Sequence, residues 1–124
     1  MVKRLRRHTV SFQHAWDGIV HTFRTQPNFQ IHTIAALLAI SAGFVLHINS
    51  AEWAVVIFVI GLVLVAEMIN TSVEAVVDLL TSKYHLKAKV AKDVSAGMVL
   101  VSAFIAVVTG ILVYLPHIKK LIYP

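Results

Sequence analysis

Three apolar runs, Phe29–Ile48, Trp53–Ala66 and Val94–Leu115, are separated along the chain by short polar segments. A helix of roughly 20 apolar residues crosses a hydrocarbon core about 30 Å thick. The first and third runs meet that length, and the second meets it when the amphipathic stretch after Ala66 continues the same helix. Ahead of them, Phe12, Ala15, Trp16, Ile19, Val20 and Phe23 recur at helical spacing, with His14, Asp17, His21 and Arg24 on the other side. That pattern marks an amphipathic helix, and Arg6 and Arg7 at its start suit one lying on a membrane surface. Pro27 ends it and turns the chain toward the bilayer. The pattern therefore predicts an all-α integral membrane protein, a single membrane-embedded domain over residues 1–124. Its surface helix covers about 9–25, and its three transmembrane helices cover about 29–48, 52–80 and 93–115.

Composition agrees, with 58% hydrophobic and 14% charged residues, against about a quarter charged in soluble domains. The formal charge of +5 does not point to nucleic acid, because the basic residues flank the apolar runs and read as topology signals. Lys3, Arg4, Arg6 and Arg7 precede the first run, and Lys83, Lys87, Lys89 and Lys92 lie between the second and third. The connection from His47 to Glu52 has no Lys or Arg, and the C-terminus has only Lys119 and Lys120. Positive-inside counting puts the N-terminus and the 81–92 loop in the cytoplasm and the C-terminus outside, with Trp53 and Tyr114 as outer-interface anchors. The first run begins after a polar, His-containing segment and does not read as a cleaved signal peptide. Cysteine is absent, which removes disulfide and thiolate chemistry. The dispersed histidines form no convincing metal spacing, and His32 and His47 read as boundary residues of the first span.

One stretch stands apart: "EMINTSVEAVVDLL", Glu67–Leu80, sets Glu67, Asn70, Glu74 and Asp78 directly after the uncharged run ending at Ala66. At 100° per residue these four share an arc of roughly 80° on one helix face. Glu67 lies about 22 Å below Glu52 at 1.5 Å per residue, inside the cytoplasmic leaflet. Glu74 and Asp78 follow at or beyond the headgroup boundary. An ionisable group at that depth costs several kcal/mol and is a functional candidate. Interhelical hydrogen bonding explains one such residue, but not four on one stripe followed by Tyr84, His85, Lys92 and Asp93. A deep carboxylate can take a proton from an alcohol held at the boundary. Shallower ones can hold Mg²⁺ beside substrate phosphates, with lysines as counter-charges. Phosphoryl transfer to a lipid hydroxyl uses this set. The chain has no GxxxxGK[ST] and no GxGxxG, so nucleotide binding must use another arrangement. An ion-conducting subunit is a rival, yet Val55–Ala66 and Ala103–Leu115 offer almost no polar group to continue a path outward. A non-enzymatic membrane scaffold is another, for which the acidic stripe is an unneeded cost. Ser102, Ala106 and Gly110 form a small-residue ridge that suits an oligomer and equally a monomeric bundle.

"AEMINTSVEAVVDLL" followed by "KYHLKAKVAKDVSAGMVL", with "SFQHAWDGI" and "NFQIH" upstream, resembles the bacterial diacylglycerol kinase and undecaprenol kinase family. The resemblance runs from about Leu5 to Pro116. It implies a small homotrimer in the bacterial inner membrane, with active sites shared between subunits. It also implies transfer of the γ-phosphate of ATP, with Mg²⁺, to a membrane lipid alcohol at the cytoplasmic interface. By position in the motif, Glu67 is implied as the catalytic base, Asn70 as its support and Glu74 as a Mg²⁺ ligand. Tyr84, His85, Lys92 and Asp93 match the nucleotide-contacting region, and Asp78 and Glu74 belong with it on the acidic face. Arg7 and His14 align with N-terminal nucleotide contacts, and Trp16 joins Glu67 on the lipid side. Many members carry a second metal-associated Glu before the first span. Here Gln26 stands there, offering a carbonyl oxygen without charge. "NFQIH", the "YHLKAKVAKDVSAG" loop and the "YLP" ending are closer to the undecaprenol branch, with diacylglycerol as the alternative acceptor.

Overall fold

The computed structural model describes the backbone of residues 2–123 and the side chains of residues 11–123. Among these, four helices follow one another: α1 (Val2–Thr25), α2 (Pro27–Val45), α3 (Ser50–Leu80) and α4 (Leu86–Ile122). The last three are long and apolar enough to cross a membrane. The amphipathic helix begins earlier than the apolar spacing predicts, because its basic N-terminal segment continues the same helical turns.

Local chemistry sets each boundary. Gln26 is extended between α1 and α2, and Pro27 opens α2 at a position whose missing N–H is not needed. Across the bend, Gln30 Nε2 donates to Phe23 O at 2.9 Å, and the Phe23 and Phe29 rings meet edge to face. The chain then reverses between α2 and α3 through His47, whose φ of 50° lies in the left-handed region. The first membrane helix therefore stops at Val45, short of Ile48 where the apolar run ends. Asn49 starts α3 with a capping box: its Oδ1 accepts from the N–H groups of Ala51 and Glu52, while Glu52 Oε2 accepts from the Asn49 N–H. α4 extends beyond its apolar run at both ends and passes through Pro116. After the proline, His117 Nε2 lies 3.1 Å from both Glu52 carboxylate oxygens and ties the C-terminal part of α4 to the start of α3.

α3 and α4 form the principal helix pair, α2 packs mainly on α3, and α2 and α4 meet only briefly. At 1.5 Å per residue α3 is about 46 Å long and α4 about 55 Å, so both outreach a 30 Å hydrocarbon layer. Large apolar side chains such as Phe58, Leu100 and Phe104 face outward, as lipid requires. A small apolar core of Ile48, Val56 and Val113 sits at the end of the bundle where α2 turns into α3, flanked by Trp53 and Tyr114. Both aromatics also pack within the bundle. Tyr114 Oη donates to the Ala39 carbonyl at 2.8 Å, and the Trp53 ring stacks tilted on Phe44 at 4.8 Å. Toward the other end the buried side chains become polar: Glu67, Asn70, Ser95 and Ser102.

α2 and α3 approach closely only because residue 43 is glycine. A Cβ there would stand 2.8 and 2.9 Å from Trp53 ring carbons and 3.1 Å from Ile48 Cδ1. Gly43→Ala is therefore expected to destabilise the hairpin by about 1–3 kcal/mol through overpacking, outweighing a gain in helix propensity of up to about 1 kcal/mol. Thermal unfolding in detergent checks this, and Trp53→Phe in the same chain is expected to recover part of the loss.

Candidate active site

The acidic face of α3 is graded in depth. Glu67 is 2% exposed, Asn70 is buried, Glu74 is half-buried and Asp78 is open. With the 3, 4, 4 spacing all four share one helix face, so the change in burial is a change along the helix and not around it. The ladder is thus a single stripe running from the interior to solvent.

Glu67 is one of the two largest fully enclosed side chains, the other being Ser95. Its Oε2 is buried and has no hydrogen-bond partner among the described residues. The ionisable groups near enough to act on it electrostatically are His32 on α2 and Glu74, two positions further along its own stripe.

Asn70 is the hub of the site. Its Oδ1 accepts from Ser95 Oγ at 2.7 Å, across the α3–α4 seam, and its Nδ2 donates to Glu74 Oε1 at 3.3 Å. Further out, Lys92 Nζ donates to Asp78 Oδ1 at 2.6 Å, joining the same two helices. This pair is partly open to water and contributes only about 0–1 kcal/mol. It does bring a cation to the mouth of the acidic stripe. Lys89 pairs with Asp93 one turn apart on α4. Tyr84 and His85 lie exposed at the α3–α4 connection, where His85 is the N-cap residue of α4.

The structure therefore brings Glu67, Asn70, Glu74 and Asp78 together with Lys92 and Ser95. Gln26 sits half-buried at the α1–α2 bend, its backbone N–H donating to Thr22 O and its carbonyl accepting from Gln30 N–H. His14 and Trp16 lie exposed on α1, and the Arg7 side chain falls outside the described residues. Ser95 was not singled out by the sequence reading. The signal was available: Ser95 stands seven residues before Ser102 and continues the Ser102–Ala106–Gly110 ridge inward on α4. Outward of Glu67, a cleft of about 270 Å³ opens between α2, α3 and α4, lined by Ala35, Ala39, Val59, Val63, Ala106 and Gly110 among others. Its walls are almost wholly apolar.

No three His, Asp or Glu side chains cluster in metal-binding geometry among the described residues. A half-buried Glu74 oriented by Asn70 does fit an ion that takes one or two carboxylates and completes its shell with water and phosphate.

A family model described as prokaryotic diacylglycerol kinase matches residues 13–114. The chain is 42% identical to the undecaprenol kinase of Bacillus subtilis over 92% of its own length and 93% of that protein's. It is also 42% identical to a diacylglycerol kinase of Synechocystis, covering 90% of this chain and 65% of the relative. Identity to the Escherichia coli diacylglycerol kinase is 29%, over 84% of this chain and 85% of the relative. With its membrane-length helices and its graded carboxylate stripe, the chain belongs to the prokaryotic diacylglycerol kinase family.

Proposed function

We propose that this protein is a lipid kinase that transfers the γ-phosphoryl group of ATP to the hydroxyl of undecaprenol at the cytoplasmic face of the bacterial inner membrane. The observation that carries the reading is the enclosed Glu67 carboxylate, whose Oε2 has no hydrogen-bond partner among the described residues, set at the deep end of a polar stripe that opens to solvent. An alcohol O–H supplied by a lipid is the group such an oxygen lacks. Near-full-length similarity to a protein named undecaprenol kinase supports the acceptor, and the apolar cleft between α2, α3 and α4 suits an extended hydrocarbon chain. Diacylglycerol is the second reading, supported by the names of other relatives.

In the proposed mechanism Glu67 accepts the proton of the lipid hydroxyl as its oxygen attacks the γ-phosphorus. The bond from that phosphorus to the β,γ-bridging oxygen breaks, and ADP leaves with the bridging oxygen. Asn70 holds the geometry between Glu67 and Glu74. Glu74, with Gln26 as a further oxygen donor, would hold Mg²⁺, which when bound neutralises charge on the transferred phosphates. Lys92 gives the nucleotide a cation in place of Asp78, and Tyr84, His85, Asp93, His14 and Arg7 complete its contacts. Trp16 on the apolar face of α1 steadies the lipid beside Glu67. We place the N-terminus and the α3–α4 connection in the cytoplasm from the lysine and arginine distribution, and assign a homotrimer with shared sites from the family resemblance.

The reading is tested with purified protein in mixed micelles, labelled ATP, and undecaprenol or diacylglycerol offered separately. Label is expected to enter undecaprenol faster, and Glu67→Gln is expected to cut the rate about a hundredfold or more, in the range of a lost general base. Label entering neither lipid at any Mg²⁺ concentration, with the protein folded, refutes the kinase reading. Gln26→Glu is expected to lower the Mg²⁺ concentration for half-maximal rate. Lys92→Met is expected to raise the KM for ATP while leaving thermal stability within about 1 kcal/mol of wild type, since its ion pair is partly solvated.

A further inference from the structure

The Ser95 hydroxyl has one proton and two acceptors, Asn70 Oδ1 at 2.7 Å and the Lys92 carbonyl at 2.9 Å. Ser95 is 1% exposed, so water cannot stand in for either. The Asn70 side chain has two ends of nearly equal size, one donor and one acceptor, and its shape alone does not say which end faces which neighbour. Turned over, the amide would set Oδ1 against Glu74 Oε1, two acceptors facing each other.

We propose that Ser95 is a positioning residue of the active site: its hydroxyl reaches across the α3–α4 seam and holds one end of the Asn70 amide, and because the Glu74 carboxylate can only accept, the amide rests with Oδ1 on Ser95 and Nδ2 turned to Glu74. The inference rests on the kinase reading and deepens it, because it explains how the metal-side carboxylate is oriented from a helix other than its own. Small size alone accounts for a serine on a tight helix seam, but not for where its hydroxyl goes. Ser102 supplies the comparison within the molecule. It lies seven residues further along the same helix and is 4% exposed, yet its hydroxyl donates only to Val99 O on its own helix. Packing is common to both serines, whereas the cross-helix bond belongs to Ser95.

Ser95→Ala and Ser102→Ala are compared with wild type for kcat, lipid KM, the Mg²⁺ requirement and thermal midpoint. Mn²⁺ binding in the presence of a non-hydrolysable ATP analogue, read by electron paramagnetic resonance, adds a measurement that needs no turnover. Ser95→Ala is expected to lower kcat about tenfold or more, as small misplacements at reacting groups do. It is also expected to raise the Mg²⁺ requirement and weaken Mn²⁺ binding, with lipid KM unchanged. Ser102→Ala is expected to follow wild type in all of these. In an Asn70→Ala background, Ser95→Ala is expected to have no further effect on Mn²⁺ binding. Ser95→Cys, of similar shape but with a weaker donor, is expected to fall between Ala and wild type, and it replaces Ser95→Ala if that protein does not fold. Equal behaviour of the Ser95 and Ser102 variants overturns the proposal, whether both are normal or both impaired. If wild type phosphorylates neither lipid, the kinase reading fails, while the Mn²⁺ comparison still decides the role of Ser95. Absence of Mn²⁺ binding in wild type overturns the Ser95 assignment as well.

Discussion

Hydrocarbon offers no hydrogen bonds, so a polar side chain placed in a membrane helix has to be answered from within the protein. Most hydroxyls here solve this on their own helix: Thr33, Ser41, Thr71 and Ser72 each donate to the carbonyl four residues back. Asn70 has both a donor and an acceptor to satisfy, and it does so by reaching Ser95 on α4 and Glu74 on α3. That cross-helix bond fixes α3 and α4 in register at the depth where the acidic stripe begins. The Lys92–Asp78 pair and the order of Ser95, Val99 and Ser102 along the seam follow from the same register. Glu67 is the exception. One of its oxygens is left unanswered in a place that penalises this, and such a group persists in a fold when something else supplies the partner.

Much of this was legible before any coordinates. Periodicity located the helices because lipid imposes a minimum length and an apolar outer surface on every span. The spacing of Glu67, Asn70, Glu74 and Asp78 put them on one face because helix geometry admits nothing else. What the sequence could not convey was which neighbour covers that face. Ser95 is small and ordinary in composition, and its role comes from standing opposite Asn70, which depends on the packing register of two helices. The packing partners of Trp53 and Tyr114 were hidden for a related reason: an aromatic near a span end suits both interface anchoring and packing, and its contacts with Gly43 and Ala39 depend on how the helices meet. The helix ends depart from the ends of the apolar runs where local chemistry overrides hydropathy: the left-handed turn at His47 follows an α2 that stops at Val45, and α4 runs on through Pro116.

The distribution of polar groups also separates the rival readings. A proton or cation path needs polar stations across the whole bilayer. Before Glu67 the buried face of α3 carries Val63, Val59 and Val56, and the adjoining cleft has only His32, Thr109 and Tyr114 among walls of alanine, valine, isoleucine and glycine. A scaffold needs no deep carboxylate. An arrangement wet at one end and apolar beyond its deepest acid suits a reaction between a water-borne partner and one that never leaves the membrane.

α3 carries two unrelated polar constructions on one continuous rod. The Asn49–Glu52–His117 clasp lies at its N-terminal end and the acidic stripe toward its C-terminal end. Glu52 and Glu67 are separated by about 22 Å of helix, beyond the distance at which substitutions usually influence one another. Exchanging the histidine or carboxylate of the clasp for another fastening is therefore expected to leave the chemistry of the stripe undisturbed, and a designer can graft a tag or cross-link onto that end on the same principle.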